Sequence, residues 1–295
     1  MTEDAFIQVR DVDFIYPDGT HALRGINLTV DHGDFVALIG QNGSGKTTLS
    51  KCLNGLFKPT KGEILVDGLD TKRTRIVQMV KRVGYVFQNP DHQLFNSSCW
   101  DEIAYGPRNI GLSEEEVHER VIEAARVVGL PEEDFEEHPF FLTKGMRQRV
   151  AIAAILSLRP HAIIVDEPTT GQDLKQSLEI MDFLQRLHEE QGHIIIIVTH
   201  DMPIVARYAK RVVAMGRGQI LADGVTADVF GNVEVLAQTF VEPPQITQLA
   251  QRTSYLGFDS KTATVEEMVR QYVRIAAARR GIDTRDLAFE DDEDD

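Results

Sequence analysis

Residues 34–48 read DFVALIGQNGSGKTT. A continuous apolar run ends in glycine, and a glycine-rich turn then closes on a lysine and two threonines. The turn matches GxxxxGK[ST] with Gly40, Gly45, Lys46 and Thr47. It follows a buried-strand pattern and precedes a helical one, which is the context the motif requires. Gly43 and Gly45 are expected to let backbone amides approach phosphate oxygens without a Cβ in the way. The start of the following helix adds partial positive charge. Lys46 is expected to reach the β- and γ-phosphates, Thr47 to ligate Mg²⁺ and Thr48 to donate to the α-phosphate. Asn42 and Ser44 complete the same cradle.

Around this loop, strand and helix patterns alternate. IQVRDVDFIY and HALRGINLTV alternate apolar with polar residues, and GEILVDG (62–68) and RVGYVFQ (82–88) also read as strands. AIIVDE (162–167) and HIIIIVTH (193–200) are buried-strand patterns, with a helix expected over 174–190 between them. Further helices are expected over 46–56, within 97–130 and over 145–158, with Ser113 as N-cap and Glu116 three residues on. VVAMGRGQILADG (212–224) resembles a last hairpin. This alternation predicts an α/β core with mainly parallel strands. A boundary is expected near 232, where Pro243–Pro244 soon interrupts regular structure.

Asp166 ends a buried strand, where it can hold Mg²⁺ through water. Glu167 beside it is the candidate base for an attacking water. Bulk properties narrow the class. The 295 residues are 42% hydrophobic, a globular composition. The formal net charge of −15 argues against nonspecific nucleic-acid binding, which needs clustered Lys and Arg. The acids concentrate in residues 113–137 and in the tail FEDDEDD, both expected to be solvated. Cys52 and Cys99 form no CxxC or zinc spacing and read as structural thiols in a reduced compartment. The N-terminus has early acids and no targeting pattern. The apolar run IIIIV is far below the roughly 18 residues of a membrane span, so a soluble chain is expected.

In their order along the chain these motifs resemble the nucleotide-binding subunit of an ABC transporter, over about residues 5–230. The resemblance implies a P-loop ABC ATPase core, a mixed sheet with a helical subdomain, plus a small mainly helical C-terminal extension. It divides the chain into an ATPase domain at 1–231, with the helical subdomain at about 89–160. The extension follows at 232–289, and an acidic, disordered tail at 290–295. Tyr16 matches the aromatic residue that stacks on adenine. Gln88 matches the glutamine that senses Mg²⁺ and couples to the membrane subunit. Asp166 and Glu167 match the metal-binding acid and the catalytic carboxylate. Gly171, Gln172 and Asp173 match the D-loop, and His200 matches the switch histidine on the γ-phosphate. Catalysis is thus assigned to Glu167, His200, Lys46 and Gln88, and metal contact to Thr47, Gln88 and Asp166.

Leu142-Thr143-Lys144-Gly145-Met146 falls where the family signature LSGGQ belongs, a helix N-terminus that closes on the ATP of a partner subunit. Thr143 keeps the hydroxyl and Gly145 keeps one amide free of a Cβ. Lys144 replaces a glycine, to favour a triphosphate or simply to point into solvent. Met146 replaces a glutamine, and Gln172 stands where an apolar residue is usual. The segment is read as competent, the alternative being a half-site that works only beside a better partner.

VGYVFQNPDHQLFNSSCWDEIAYGPRNIGL (83–112) and FVEPPQITQLA (240–250) are similar to the ATPases of energy-coupling factor transporters, the vitamin and cobalt/nickel uptake class. That similarity implies ATP and Mg²⁺ as cofactors and a second ATPase subunit, identical or not. It also implies a transmembrane coupling subunit, a separate substrate-binding membrane protein and a peripheral place on the cytoplasmic face of the cell membrane. Asn89 to Phe95 would line the groove for a coupling helix, and no nucleic acid is expected as partner. The alternative is a soluble ABC ATPase that remodels a macromolecular complex without transport. A regulatory subunit with a dead site is a third reading, opposed by Lys46, Asp166, Glu167 and His200.

Overall fold

A computed structural model describes residues 5–280. The expected acidic tail and the last residues of the expected extension lie outside the described residues. The elements run β1 (Ile7–Ile15), β2 (His21–Val30), β3 (Phe35–Ile39), α1 (Lys46–Leu53), β4 (Lys61–Val66) and β5 (Leu69–Asp70). Next come α2 (Ile76–Met79), β6 (Val83–Val86), α3 (Cys99–Asn109), α4 (Glu114–Val128), α5 (Lys144–Leu156) and β7 (Ala162–Asp166). Then follow α6 (Leu174–Gln191), β8 (Ile194–Val198), α7 (Met202–Tyr208), β9 (Arg211–Gly216) and β10 (Gln219–Val225). The described residues end with α8 (Thr226–Gly231), α9 (Val233–Thr239), α10 (Gln245–Arg252) and α11 (Val265–Arg280).

Two sheets form. One has the order β10-β9-β3-β8-β7-β6, parallel from β9 to β6 with β10 antiparallel at its edge. The other is antiparallel, in the order β2-β1-β4-β5. The apolar runs in the first sheet have a direct cause. In β3, Phe35, Ala37 and Ile39 enter one core while Val36 and Leu38 enter the other. In β7, Ile163 and Val165 part from Ala162 and Ile164 in the same way, and in β8 Ile195 and Ile197 part from Ile194 and Ile196. Successive side chains point to opposite faces, so a strand between two cores has no polar position. The first core lies under α3 to α7, and the second lies between the sheets around Leu49 and Leu53 of α1.

Local chemistry sets the helix ends. At α4, Ser113 accepts from the Glu116 amide and the Glu116 carboxylate accepts from the Ser113 amide, a complete capping box. Helix α1 stops at Leu53, short of the expected Leu56, because the Asn54 side chain accepts from the Leu56 amide at 3.1 Å. That local bond replaces the next helical turn. Cys52 and Cys99 are fully buried, and burial pushes both thiols up to about 12, so neither is a thiolate at neutral pH. The expected boundary near 232 is a junction between helices: Asn232 accepts from the Val235 amide and caps α9. Leu236 and Ala263, beyond it, belong to the first core, and the Gln41 amide donates to the Thr239 carbonyl at 3.2 Å.

Candidate functional site

The carboxyl ends of β3, β7 and β8 open on a cleft of about 780 Å³, where parallel sheets place ligands. Gly40–Thr48 leaves β3, Asp166 and Glu167 end β7, and His200 follows β8. Gly45 caps α1 without a side-chain hydrogen bond, so the first amides of that helix have no protein acceptor from a cap. Ser44 Oγ is buried with no partner. Both features fit a polyanion in the loop. The glycines serve different ends. Gly43, at φ +80°, faces open space, as expected for a loop that meets phosphate. Gly40 and Gly45 instead make room for protein: a Cβ on Gly40 would overlap the Met215 carbonyl oxygen, and one on Gly45 would lie 2.8 Å from the Ala22 carbonyl oxygen.

Lys46 is 6% exposed, and its ammonium donates to the carbonyls of Gly40 at 2.6 Å and Gln41 at 3.0 Å. Burial lowers its pKa, and the charges of Glu167 and Asp166 oppose that shift. Thr47 Oγ1 donates to Asp166 Oδ2 at 3.2 Å, and the Tyr85 hydroxyl donates to the same oxygen at 2.7 Å. Glu167 is buried and holds a left-handed backbone, φ +51°, while its amide donates to the Val198 carbonyl at 2.7 Å. Its carboxylate lies 2.9 Å from His200 Nδ1 and accepts from Thr170 Oγ1 at 3.3 Å. Asp166, Glu167 and His200 therefore meet at one place, with His200 on the exposed side.

Tyr16 stands at the mouth of the cleft with its hydroxyl 2.9 Å from Thr48 Oγ1, and it packs edge-on against Phe14 and Phe57. Thr48, which the sequence assigns to the α-phosphate, lines the cleft beside the Tyr16 hydroxyl. Asn42 and Gln88 also line the cleft. Leu142 to Met146 do not line it. Thr143 caps α5 by accepting from the Met146 amide, and Met146 packs on the first core. Asp173 caps α6 by accepting from the Gln176 amide at 2.8 Å. Lys144 neither points into solvent nor meets the cleft: its ammonium donates to the Thr170 carbonyl at 2.7 Å.

Sequence reasoning passed over several groups. Tyr85 sits in an apolar strand and reads as packing, although it touches Asp166. His21 and Arg24, in β2, and Arg217, in the turn between β9 and β10, also line the cleft and belong to no motif. Gln93 bridges the Phe87 amide and the Ala151 carbonyl, joining the Gln88 segment to α5. A second, apolar groove of about 280 Å³ runs between α2, α3 and α5. Of residues 89–95 only Gln93 and Phe95 line it, and Leu94 is buried in the first core. Its other walls come from Ile76, Val77, Val80, Tyr105 and Leu158, with Phe95 edge-on to Tyr105.

The family model described as "ABC transporter" matches residues 23–170. One relative, from Caldanaerobacter subterraneus subsp. tengcongensis, is 51% identical over 268 residues, which are 90% of this chain and 46% of that protein. The chain thus spans under half of that relative's length. From the same organism, the energy-coupling factor transporter ATP-binding protein EcfA2 is 41% identical over 284 residues, covering 94% of this chain and 99% of its own. Among solved structures, cbiO1 from Clostridium perfringens, described as part of the ABC transporter complex cbiONQ, superposes with a TM-score of 0.72. It is 38% identical and covers 84% of this chain and 99% of its own. The chain therefore belongs to the ABC transporter ATP-binding family, beside the ATPases of energy-coupling factor transporters.

Proposed function

We propose that this chain hydrolyses ATP and powers uptake of a metal ion or vitamin through separate membrane subunits, as the ATPase of an energy-coupling factor importer. The observation that carries the reading is the convergence of Lys46, Thr47, Asp166 and Glu167 on one cleft, with His200 held at its edge against Glu167. Lys46 exchanges its two loop carbonyls for the β- and γ-phosphate oxygens of ATP. The free amides at the start of α1 hold the phosphates. Thr47, Asp166 and Gln88 offer a hydroxyl, a carboxylate and an amide oxygen, a donor set that suits Mg²⁺ sharing its shell with phosphates and water. Bound there, Mg²⁺ neutralises phosphate charge. Glu167 accepts a proton from the attacking water. His200 holds that carboxylate through Nδ1 and turns its other ring nitrogen toward the γ-phosphate.

Thr143, Lys144 and Gly145 serve the ATP of a second ATPase subunit, since they lie outside their own cleft. The apolar groove takes a coupling helix of a transmembrane subunit. Its exposed Phe95, Tyr105, Ile76 and Val77 suit an apolar helix face better than RNA, DNA or a charged surface. Substrate recognition belongs to a further membrane protein. The chain sits peripherally on the cytoplasmic face, held by those membrane subunits; among the described residues no helix is long and apolar enough to cross a membrane. Val265, Val269 and Tyr272 form an exposed stripe on α11 that extends the contact between ATPase subunits.

The test is the solution mass of Glu167→Gln with and without MgATP. A monomer that becomes a dimer only with MgATP, together with turnover reduced by about 100-fold or more, supports the reading. Unchanged turnover would remove Glu167 from the chemistry.

A further inference from the structure

Lys144 and Gln172 are departures from the family pattern that lie in separate motifs, yet each lies against a residue of the other's motif. Lys144 is the first residue of α5, and its ammonium crosses to the Thr170 carbonyl at 2.7 Å. Thr170 lies in the loop that runs from Glu167 at the end of β7 to Asp173 at the cap of α6. The next residue is Gly171, at φ +70°, and a Cβ there would clash with Lys144 Nζ. The positive φ is what calls for glycine at 171, and the lysine tip fills the space beside it. Gln172 completes the junction: its Oε1 is buried without a hydrogen-bond partner and lies 3.8 Å from the position of a Cβ on Gly145.

The contact continues to the base candidate. Thr170 accepts from Lys144 through its carbonyl and donates through Oγ1 to Glu167 at 3.3 Å, and Glu167 meets His200 at 2.9 Å. One hydrogen-bonded path thus joins the N-terminus of α5 to the carboxylate in the cleft. Among the described residues Lys144 has no carboxylate within ion-pair distance, and the Thr170 carbonyl is its one hydrogen-bond partner. An ammonium has three donors. Lys144 can therefore keep the Thr170 bond while a further donor turns to an anion arriving at α5.

We propose that Lys144 is a positioning residue that couples the two nucleotide sites of an ATPase dimer. It transmits occupancy of the partner's site, sensed at the N-terminus of α5, to the Glu167 loop of its own site. This rests on the reading that α5 closes on the ATP of a second subunit. The neutral carbonyl acceptor matters here. A carboxylate partner would saturate the charge, whereas a carbonyl leaves the ammonium free to respond to phosphate.

The experiment compares native protein with Lys144→Ala and Lys144→Arg. Three readouts are taken: affinity for a fluorescent ATP analogue, the dependence of ATPase rate on ATP concentration, and MgATP-driven dimerisation of each change in the Glu167→Gln background. In Lys144→Ala, nucleotide affinity of the monomer should stay within about twofold, because the cleft does not contain Lys144. Its kcat should fall about tenfold, the loss of one charge-assisted hydrogen bond. Its Hill coefficient should fall from about 2 toward 1, and Lys144→Arg should restore both. An unchanged Hill coefficient in Lys144→Ala, beside a Glu167→Gln parent that dimerises, overturns the coupling alone. A Glu167→Gln parent that never dimerises with MgATP overturns the underlying reading and the coupling with it.

Discussion

Glu102→Ala should loosen the groove edge without touching the nucleotide cleft. Glu102 is 4% exposed in α3, and its Oε2 accepts three hydrogen bonds. They come from the Phe95 amide at 3.0 Å, the Asn96 amide at 2.8 Å and Asn96 Nδ2 at 3.0 Å. A hydrogen bond to a charged group contributes about 1.5–3 kcal/mol net, and three on one oxygen add less than three times that. No cation pairs with this carboxylate among the described residues, so removing the charge also relieves a desolvation cost. The expected loss is about 3 kcal/mol of unfolding free energy. Glu102→Gln keeps an acceptor of the same shape and should lose about 1 kcal/mol. Urea unfolding gives the free energies, and amide hydrogen exchange reads Phe95 and Asn96 directly. Both amides should lose protection in Glu102→Ala while nucleotide affinity holds. Stability within about 0.5 kcal/mol of the native protein, with both amides still protected, would refute the reasoning.

Tyr85→Phe removes a donor from Asp166 and keeps the ring, so unfolding free energy should drop by about 1.5 kcal/mol; an unchanged urea midpoint would count against that bond. Gly40→Ala forces a Cβ onto the Met215 carbonyl oxygen, a backbone atom that cannot step aside. It should cost about 2–3 kcal/mol and weaken binding of a fluorescent ATP analogue, measured by unfolding and by titration. His193 gives a pH signature. Burial lowers its pKa below the ordinary 6.5, against hydrogen bonds to Pro160 and His161 that raise it. The unfolded chain then binds the extra proton first, so stability is lost as pH falls through 6.5 toward the lowered value. His193→Gln should flatten the stability–pH curve in that window and leave the region above pH 7 with the same slope.

The phosphate loop and its acidic partner were legible because each motif is contiguous and its chemistry fixes residue types. The two buried faces of β3, β7 and β8 were legible for a related reason: a strand between two cores must be apolar throughout. The antiparallel sheet was less so. The alternation in β1 and β2 shows one buried face, but not that both strands leave the parallel sheet. The groove was only partly readable, because Ile76, Val77 and Tyr105 are distant in sequence and no period links them to Phe95. Tyr85 looked like one more core aromatic, since the oxygen that claims its hydroxyl belongs to another strand. Lys144 was unreadable for the same cause: its acceptor is a backbone carbonyl 26 residues on, and backbone acceptors leave no mark in a sequence.

The left-handed backbone of Glu167 bears on protein engineering. A long side chain at φ +51° costs about 1–2 kcal/mol that asparagine or glycine would largely avoid. The same exchange would lift a second carboxylate away from Asp166. A selection for heat resistance alone will therefore favour replacements at this position and, on the role proposed for Glu167, enrich chains that fold better and turn over nothing. Library screens on this scaffold need a turnover readout beside the melting readout, or position 167 must be held fixed.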